Sequence, residues 1–261
     1  MAKAYDRIEW DFLNHTLITM GFPSNLVNTI MKCVTTVSFF ILINGQATDA
    51  FTPQRGLRQG DPLSPYLFIL CAEVLSGLLT KGQEEGRFHG IQIAPNAPPI
   101  SHLFFADDSL LFCRADPKEA DFILKTLQTY ESMSGQKVNL EKSEMVFNPS
   151  LREDIKKEFH SQMPINITRK IDKYLGLPTQ FGRLKVHDFN FIMDKVVKKL
   201  KGWKEKNLSF AERSVLIKAV TQVIPVYVMC CFLLPQQICE KIESAVCKFW
   251  WGSKGDNKKI H

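Results

Sequence analysis

The chain has 261 residues, 45% of them hydrophobic, and a formal net charge of +6. That length and apolar content exclude a disordered or fibrous chain and allow one large domain or two small ones. The mild basicity suits a polyanionic partner without pointing to one.

The first stretch, "MAKAYDRIEWDFL", is polar and amphipathic, unlike a signal peptide. Ile8, Trp10, Phe12 and Leu13 read as the interior of a domain, and both chain ends look cut. Residues 9–20 and 24–36 are predicted as two helices joined at "GFPS", with Gly21 as a stop and Pro23 as a start. Residues 38–51 read as a β-hairpin turning at Asn44-Gly45. The loop "TPQRGLRQGDPLSP" follows, and then the nearly unbroken apolar run from Tyr66 to Leu79 predicts a helix buried on most sides.

Residues 89–94 read as a short strand, and "PISHLFF" and "SLLFCRA" as two more around Asp107 and Asp108. Asp116, Pro117 and Glu119 predict a capping box opening a helix that Gly135 ends. "KVNL" and "SEMVF" read as a strand pair, 153–160 as a short polar helix, and "KYLGLPT" (173–179) as a strand and turn. From about residue 185 the pattern is all helix: 187–201, 210–231 with Ser209 and Glu212 as a capping box, and 236–250. The run 214–235 carries Lys218, Gln222 and Pro225, so it reads as a buried helix with a break rather than a membrane span. The expected division is an α+β part over 1–182 and a helical part over 183–261, hinged at "TQFGRLK". The seven cysteines form no CxxC pair and no zinc-like spacing with histidine. Most sit in apolar runs, which predicts buried, reduced thiols and an intracellular setting.

The chemistry concentrates in "LFFADDSLLFC" (103–113). Asp is common in turns because it bonds its own backbone. Yet the flanking strands are apolar on both faces, as in central, covered strands. Adjacent carboxylates there repel unless a cation neutralises them, and hard divalent ions take one or two carboxylates together with waters and phosphates. A Mg²⁺ site for phosphoryl or nucleotidyl transfer is therefore favoured over a plain turn. In "RGLRQGDPLSP" (55–65), Arg55 and Arg58 stand near Gly56 and Gly60, where backbone amides of Gln59 or Gly60 could meet a phosphate. An ordinary connecting loop is the alternative. Lys195, Lys198, Lys199, Lys201, Lys204 and Lys206 around Trp203 suit a nucleic-acid track, or equally a solvated helix face anchored by Trp203.

"AKAYDRIEWDFL", "RQGDPLSPYLF", "FADD", "SGQKVNLEKS" and "YLGLP", in that order, resemble the motifs of a non-LTR (LINE-type) retrotransposon reverse transcriptase. Residues 207–235 resemble the thumb of its plant members. The resemblance implies a polymerase palm, an antiparallel sheet with packed helices, followed by an all-helical thumb. It implies RNA-directed DNA synthesis with an RNA template, a DNA primer, deoxynucleoside triphosphates and Mg²⁺, no membrane partner, and a nuclear location. On the motifs, Asp107 and Asp108 are the metal-binding pair. Gln59 and Gly60 hold the incoming nucleotide, with Arg55 and Arg58 beside the nucleic acid. Tyr5 occupies the position of the family's steric gate against a 2′-hydroxyl, with a core residue as the alternative. Lys142, with Lys137 as the alternative, protonates the pyrophosphate, and Tyr174, Leu175 and Gly176 grip the primer. Lys198 and Lys201 would meet phosphates. The family's third carboxylate lies five residues before the gate, directly ahead of Met1, and a fingers region precedes it. The resemblance therefore implies a chain that is inactive alone. A binding remnant without chemistry, or an unselected retroelement product, are the other readings.

Overall fold

The computed structural model describes residues 1, 3–171, 173–179, 186–204 and 208–251. It divides into two compact units, Met1–Arg169 and Lys170–His261. This division falls ahead of residue 182 and groups the 173–179 hairpin with the helices. Of the expected hinge "TQFGRLK", all but Thr179 lies outside the described residues.

In the first unit, α1 (Trp10–Thr19) ends where Phe22 and Gly21 donate back to the carbonyls of Leu17 and Ile18 at 3.1 and 3.0 Å. That bond pair is a Schellman stop. Pro23 then opens α2 (Ser24–Thr35). Strands β1 (Leu42–Ile43) and β2 (Gln46–Ala47) form the expected hairpin, with Asn44 and Gly45 at φ 52° and 83°. Helix α3 (Ser64–Glu84) starts two residues before the apolar run 66–79 and ends five residues after it, and it is buried on one face only, with Tyr66 and Ile69 exposed. Leu67, Phe68 and Cys71 of its first half pack with Ile8, Leu13, Leu17, Val27 and Leu57. Leu75 and Leu79 of its second half pack with Phe88, Ala120, Ile123 and Tyr130. Each such buried Leu contributes about 1.5–3 kcal/mol. Among the described residues α3 is the helix long and apolar enough to cross a membrane; here its buried face joins these two clusters.

Strands β3 (His102–Phe105) and β4 (Asp108–Leu111) pair antiparallel. They are not covered on both faces: Leu103 and Phe105 are 44% and 60% exposed. Only one face, through Phe104 and Leu111, meets the α3–α4 cluster, so the two carboxylates at the tip stand in reach of water. The 89–94 segment contributes one isolated bridge, Ile91 to Ile100, instead of a strand. Helix α4 (Pro117–Ser134) is capped by Asp116, which accepts from the Lys118 amide at 2.9 Å. Glu119 does not close a capping box. It is buried and accepts from the amides of His89 (3.1 Å) and Arg114 (2.9 Å), with the His89 ring at 2.7 Å. A buried carboxylate is drawn to whichever donors satisfy it, and here those are Arg114, five residues back, and His89, thirty residues back, rather than the N-cap amide.

"KVNL" is not a strand. Val138 donates to Glu131 Oε1 at 2.6 Å, and Asn139 caps a 3₁₀ turn over Leu140–Lys142. Strand β5 (Glu144–Val146) pairs in parallel with β6 (Asn166–Thr168), across α5 (Glu153–Gln162). The sheets of the described residues are therefore four separate two-stranded pairs, one of them parallel, rather than one antiparallel sheet. Phe104, Leu111 and Met145 of β3, β4 and β5 pack into the cluster that α3 and α4 build, while Leu42 and Ile43 of β1 are exposed.

The second unit holds the β7 (Lys173–Tyr174) and β8 (Leu177–Pro178) hairpin, then α6 (Asn190–Lys204), α7 (Phe210–Leu216), α8 (Val223–Met229) and α9 (Gln236–Trp251). The Ser209–Glu212 capping box is present. The predicted helix over 210–231 is broken by a π turn over Ile217–Thr221. Pro225 has no N–H to give the Thr221 carbonyl, and the chain upstream takes the wider i→i+5 bond, from Gln222 to Ile217 at 2.9 Å. The cysteines depart from expectation: only Cys71 is buried, while Cys33, Cys230, Cys231 and Cys247 are exposed on outer surfaces. Burial pushes the Cys71 thiol up to about 12, so it stays protonated and inert.

Candidate active site

The hairpin tip turns through Ala106 at φ 50°, a left-handed backbone that costs a non-glycine residue about 1 kcal/mol or more. That turn sets Asp107 beside an open cleft of about 610 Å³. The opposite walls come from Lys3–Tyr5 and from Gln59–Pro62 at the entrance to α3. Three remote stretches thus meet, and all belong to the first unit.

Each wall is held by backbone. Leu57 donates to the Tyr5 carbonyl and Gly56 to the Ile8 carbonyl, both at 2.8 Å. Gly56 has φ 91°, and a Cβ there would stand 2.8 Å from the Asp6 carbonyl, so only glycine allows the loop this close. The Tyr5 ring stacks on Phe68 at 4.8 Å and 11°. Asp61 accepts from the Leu63 amide at 2.7 Å, fixing the turn into α3. The nitrogen of Met1 donates to the Asp107 carbonyl at 2.8 Å, so the backbone at Met1 runs against the hairpin tip. Behind the hairpin, His102 of β3 meets Ser76 of α3 through Nε2 and Ser101 through Nδ1, each at 2.9 Å. Burial lowers its pKa below the ordinary 6.5, opposed in part by the negative charge of Glu73.

Tyr5, Gln59, Gly60 and Asp107 therefore line one cleft, with Asp108 next to it on the turn. Other expected residues do not line it. Arg55 pairs with Glu9 at 3.1 Å, Arg58 is exposed outside the cleft lining, and Lys142 stands exposed on the 3₁₀ turn. Its alternative, Lys137, is held by Glu131 at 3.3 Å, which leaves Lys142 the freer ammonium. Lys3, Ala4 and Asp61 line the cleft without having been singled out as contacts; the signal was their placement beside the Tyr5 and Gln59 motifs.

The donor set can be tested for a divalent ion. Asp107 and Asp108 are adjacent, exposed and outside every ion pair of the described residues. They offer the two carboxylates that Mg²⁺ accepts when waters and phosphates complete its shell. No group of three or more His, Cys, Asp or Glu suited to a metal exists among the described residues, so the pair fits the ion only together with other ligands.

The family profile described as reverse transcriptase (RNA-dependent DNA polymerase) matches residues 1–179, more than half of the chain. The chain belongs to the reverse transcriptase family. It is 26% identical over 255 residues to a 149 kDa protein of transposon TX1 from Xenopus laevis, covering 97% of this chain and 19% of that protein. It is 29% identical over 230 residues to the Pol polyprotein of the type-2 retrotransposable element R2DM of Drosophila melanogaster, covering 83% and 21%. An uncharacterised mitochondrial protein of Arabidopsis thaliana is 62% identical over 73 residues, covering 27% and 60%. The chain thus spans 60% of the last relative and about a fifth of the first two. The resemblance to non-LTR retrotransposon reverse transcriptases is carried by these matches.

The second unit of this reverse transcriptase chain holds the other expected contacts. Leu175 and Gly176 turn the β7–β8 hairpin at φ 51° and 79°. Tyr227 of α8 donates to the Leu175 carbonyl at 2.9 Å, and Leu177 packs on the Phe189–Ile192–Val228 cluster. On α6, Ile192, Val196 and Leu200 face the core, while Lys195, Lys198 and Lys199 rim a cleft of about 520 Å³ with Gly202, Trp203 and Ile224. Trp203 is chiefly a core anchor, 6.0 Å from Phe249, with one edge in that cleft. Lys201 is exposed outside the cleft lining, and Lys206 lies outside the described residues.

Proposed function

We propose that the cleft beside Asp107 is the nucleotidyl-transfer site of an RNA-directed DNA polymerase, in a palm-like first unit followed by a thumb-like helical one. The observation that carries the reading is the meeting of Asp107, Tyr5 and Gln59–Gly60 around one cleft, from three remote stretches. Asp107 and Asp108 would hold divalent ions together with the triphosphate, and such ions would supply neutralisation of the charge that develops in phosphoryl transfer. The amides near Gln59 and Gly60 take the phosphates, and the stacked Tyr5 ring fills the space a ribose 2′-hydroxyl needs. The primer 3′-hydroxyl gives its proton to water as its oxygen bonds to the α-phosphorus, the bond to the bridging oxygen breaks, and pyrophosphate leaves with a proton from Lys142. In the first unit Arg58 meets the template or primer backbone; in the second the 173–179 hairpin grips the primer and Lys195, Lys198 and Lys199 meet phosphates, with the nucleus as the place of action. An Asp added directly ahead of Met1 would supply a third carboxylate beside the pair, because the Met1 nitrogen stands 2.8 Å from the Asp107 carbonyl.

Primer extension on poly(rA)/oligo(dT) with Mg²⁺ tests the reading. It compares the present chain with one carrying an added Asp directly ahead of Met1. The extended chain incorporates dTTP, and Asp107→Asn lowers incorporation by about 100-fold or more, as losing a charge-stabilising group does. Binding of the hybrid with no extension by the extended chain overturns the catalytic reading in favour of a binding remnant.

A further inference from the structure

The "SGQ" segment that ends α4 touches no cleft, yet it holds the strand of chain that carries Tyr5. Gln136 is 1% exposed. Its Nε2 donates to the Ala4 carbonyl at 3.0 Å, and its Oε1 accepts from the Tyr130 hydroxyl at 2.7 Å. Its own amide donates to Ser134 Oγ at 3.2 Å. The Ser134 carbonyl accepts from the Glu9 amide at 3.0 Å, and a Cβ on Gly135 would stand 2.6 Å from the Arg7 carbonyl. The segment from Ala4 to Glu9 is thus gripped from behind by residues 134–136 and from the front by Leu57 and Gly56.

Both groups at the Gln136 amide are buried, and water has no access to replace either bond. A side chain at 136 that cannot donate leaves the Ala4 carbonyl without its partner, and that carbonyl relaxes by rotating its peptide plane. The plane it shares is the one leading into Tyr5. The Tyr5 ring is braced on its far side by Phe68. Its distance from a bound sugar is therefore set at the backbone.

We propose that Gln136 is a positioning residue for discrimination between deoxy- and ribonucleotides, acting through the Ala4 carbonyl on the Tyr5 ring. The inference rests on the reading of the cleft as the nucleotide site. Gln136 recognises no ligand. It fixes how closely the gate stands to the 2′ position, so its loss changes the ratio of the two affinities more than either triphosphate contact.

The test is equilibrium dialysis of labelled dATP and ATP against the full chain with Mg²⁺. Wild type binds dATP more tightly, and Tyr5→Ala brings the two affinities together. Gln136→Met keeps length and volume but loses both bonds. It lowers the dATP-to-ATP preference by about fivefold, the worth of one neutral hydrogen bond, with dATP affinity nearly unchanged. Tyr130→Phe frees the amide without removing it and gives a smaller loss, and it serves where Gln136→Met does not fold. Equal weakening of both nucleotides by these variants assigns Gln136 a purely structural role and overturns the proposal. If Tyr5→Ala collapses the preference while Gln136→Met and Tyr130→Phe retain it in full, only the Gln136 inference falls. If Tyr5→Ala itself leaves the ratio unchanged, the reading of the cleft is overturned and the inference with it.

Discussion

The cleft beside Asp107 is assembled from three stretches of chain separated by tens of residues, whereas the lysine cleft takes five of its six lining residues from α6 and adds Ile224. The first is held by backbone bonds, a stacked ring and a glycine that nothing else can replace. The second needs only a helix whose other face is anchored by Ile192, Val196 and Leu200. The contrast suits chemistry in one and electrostatics in the other. Transfer at phosphorus needs groups fixed to fractions of an ångström, while lysines on phosphates act nearly independently and tolerate movement.

That contrast fails if remote backbone changes spare the first cleft. Gly56→Ala puts a Cβ against the Asp6 carbonyl at a φ of 91°. It destabilises the first unit by about 1–3 kcal/mol, read by hydrogen exchange over Met1–Arg169 during urea unfolding of the full chain. Exchange over α6 stays as in wild type. A first unit as stable as wild type would break the comparison.

A smaller effect sharpens the other side. Replacing Lys195, Lys198 and Lys199 together by Ala flattens the log–log salt dependence of hybrid binding by about 2 to 3. Fluorescence anisotropy across a salt series reads it, and each lysine contributes a similar share. An unchanged slope removes the helical unit from the nucleic-acid path.

The smallest effect is on pH. The pKa of His102 is lowered in the fold by burial, so the unfolded chain binds its proton more readily. Stability from this group is therefore full above 6.5 and declines as pH falls from 6.5 to the lowered value. Thermal midpoints of wild type and His102→Gln differ less steeply above 6.5 than below it. A difference that grows on raising the pH contradicts the assignment.

Much of this was legible in the sequence where a local rule and the tertiary demand agree. Gly21 and Pro23 separate α1 from α2, Asn44-Gly45 turns its hairpin, and Ser209 with Glu212 caps α7 as read. "ADD" between apolar runs gave the hairpin tip beside the cleft. What escaped was set by partners outside the local pattern. Glu119 has the spacing of a capping box but answers to His89 and Arg114. "KVNL" alternates like a strand, yet Glu131 takes the Val138 amide and Asn139 turns to cap the Lys142 amide, and β5 finds its partner beyond α5. The exposure of Phe105 depends on what covers the sheet, which no alternation pattern states. Gln136 read as a motif letter, and its role emerges only from its bonds to Ala4 and Tyr130.

The central claim is that Asp107 and Asp108 hold the divalent ions of a triphosphate in this cleft. Mn²⁺ binding, followed by electron paramagnetic resonance with dATP present, tests it most directly. Wild type takes up more Mn²⁺ than nucleotide alone accounts for, and the Asp107→Asn, Asp108→Asn double variant, folded by circular dichroism, loses that excess. Equal uptake by the two proteins would contradict the account.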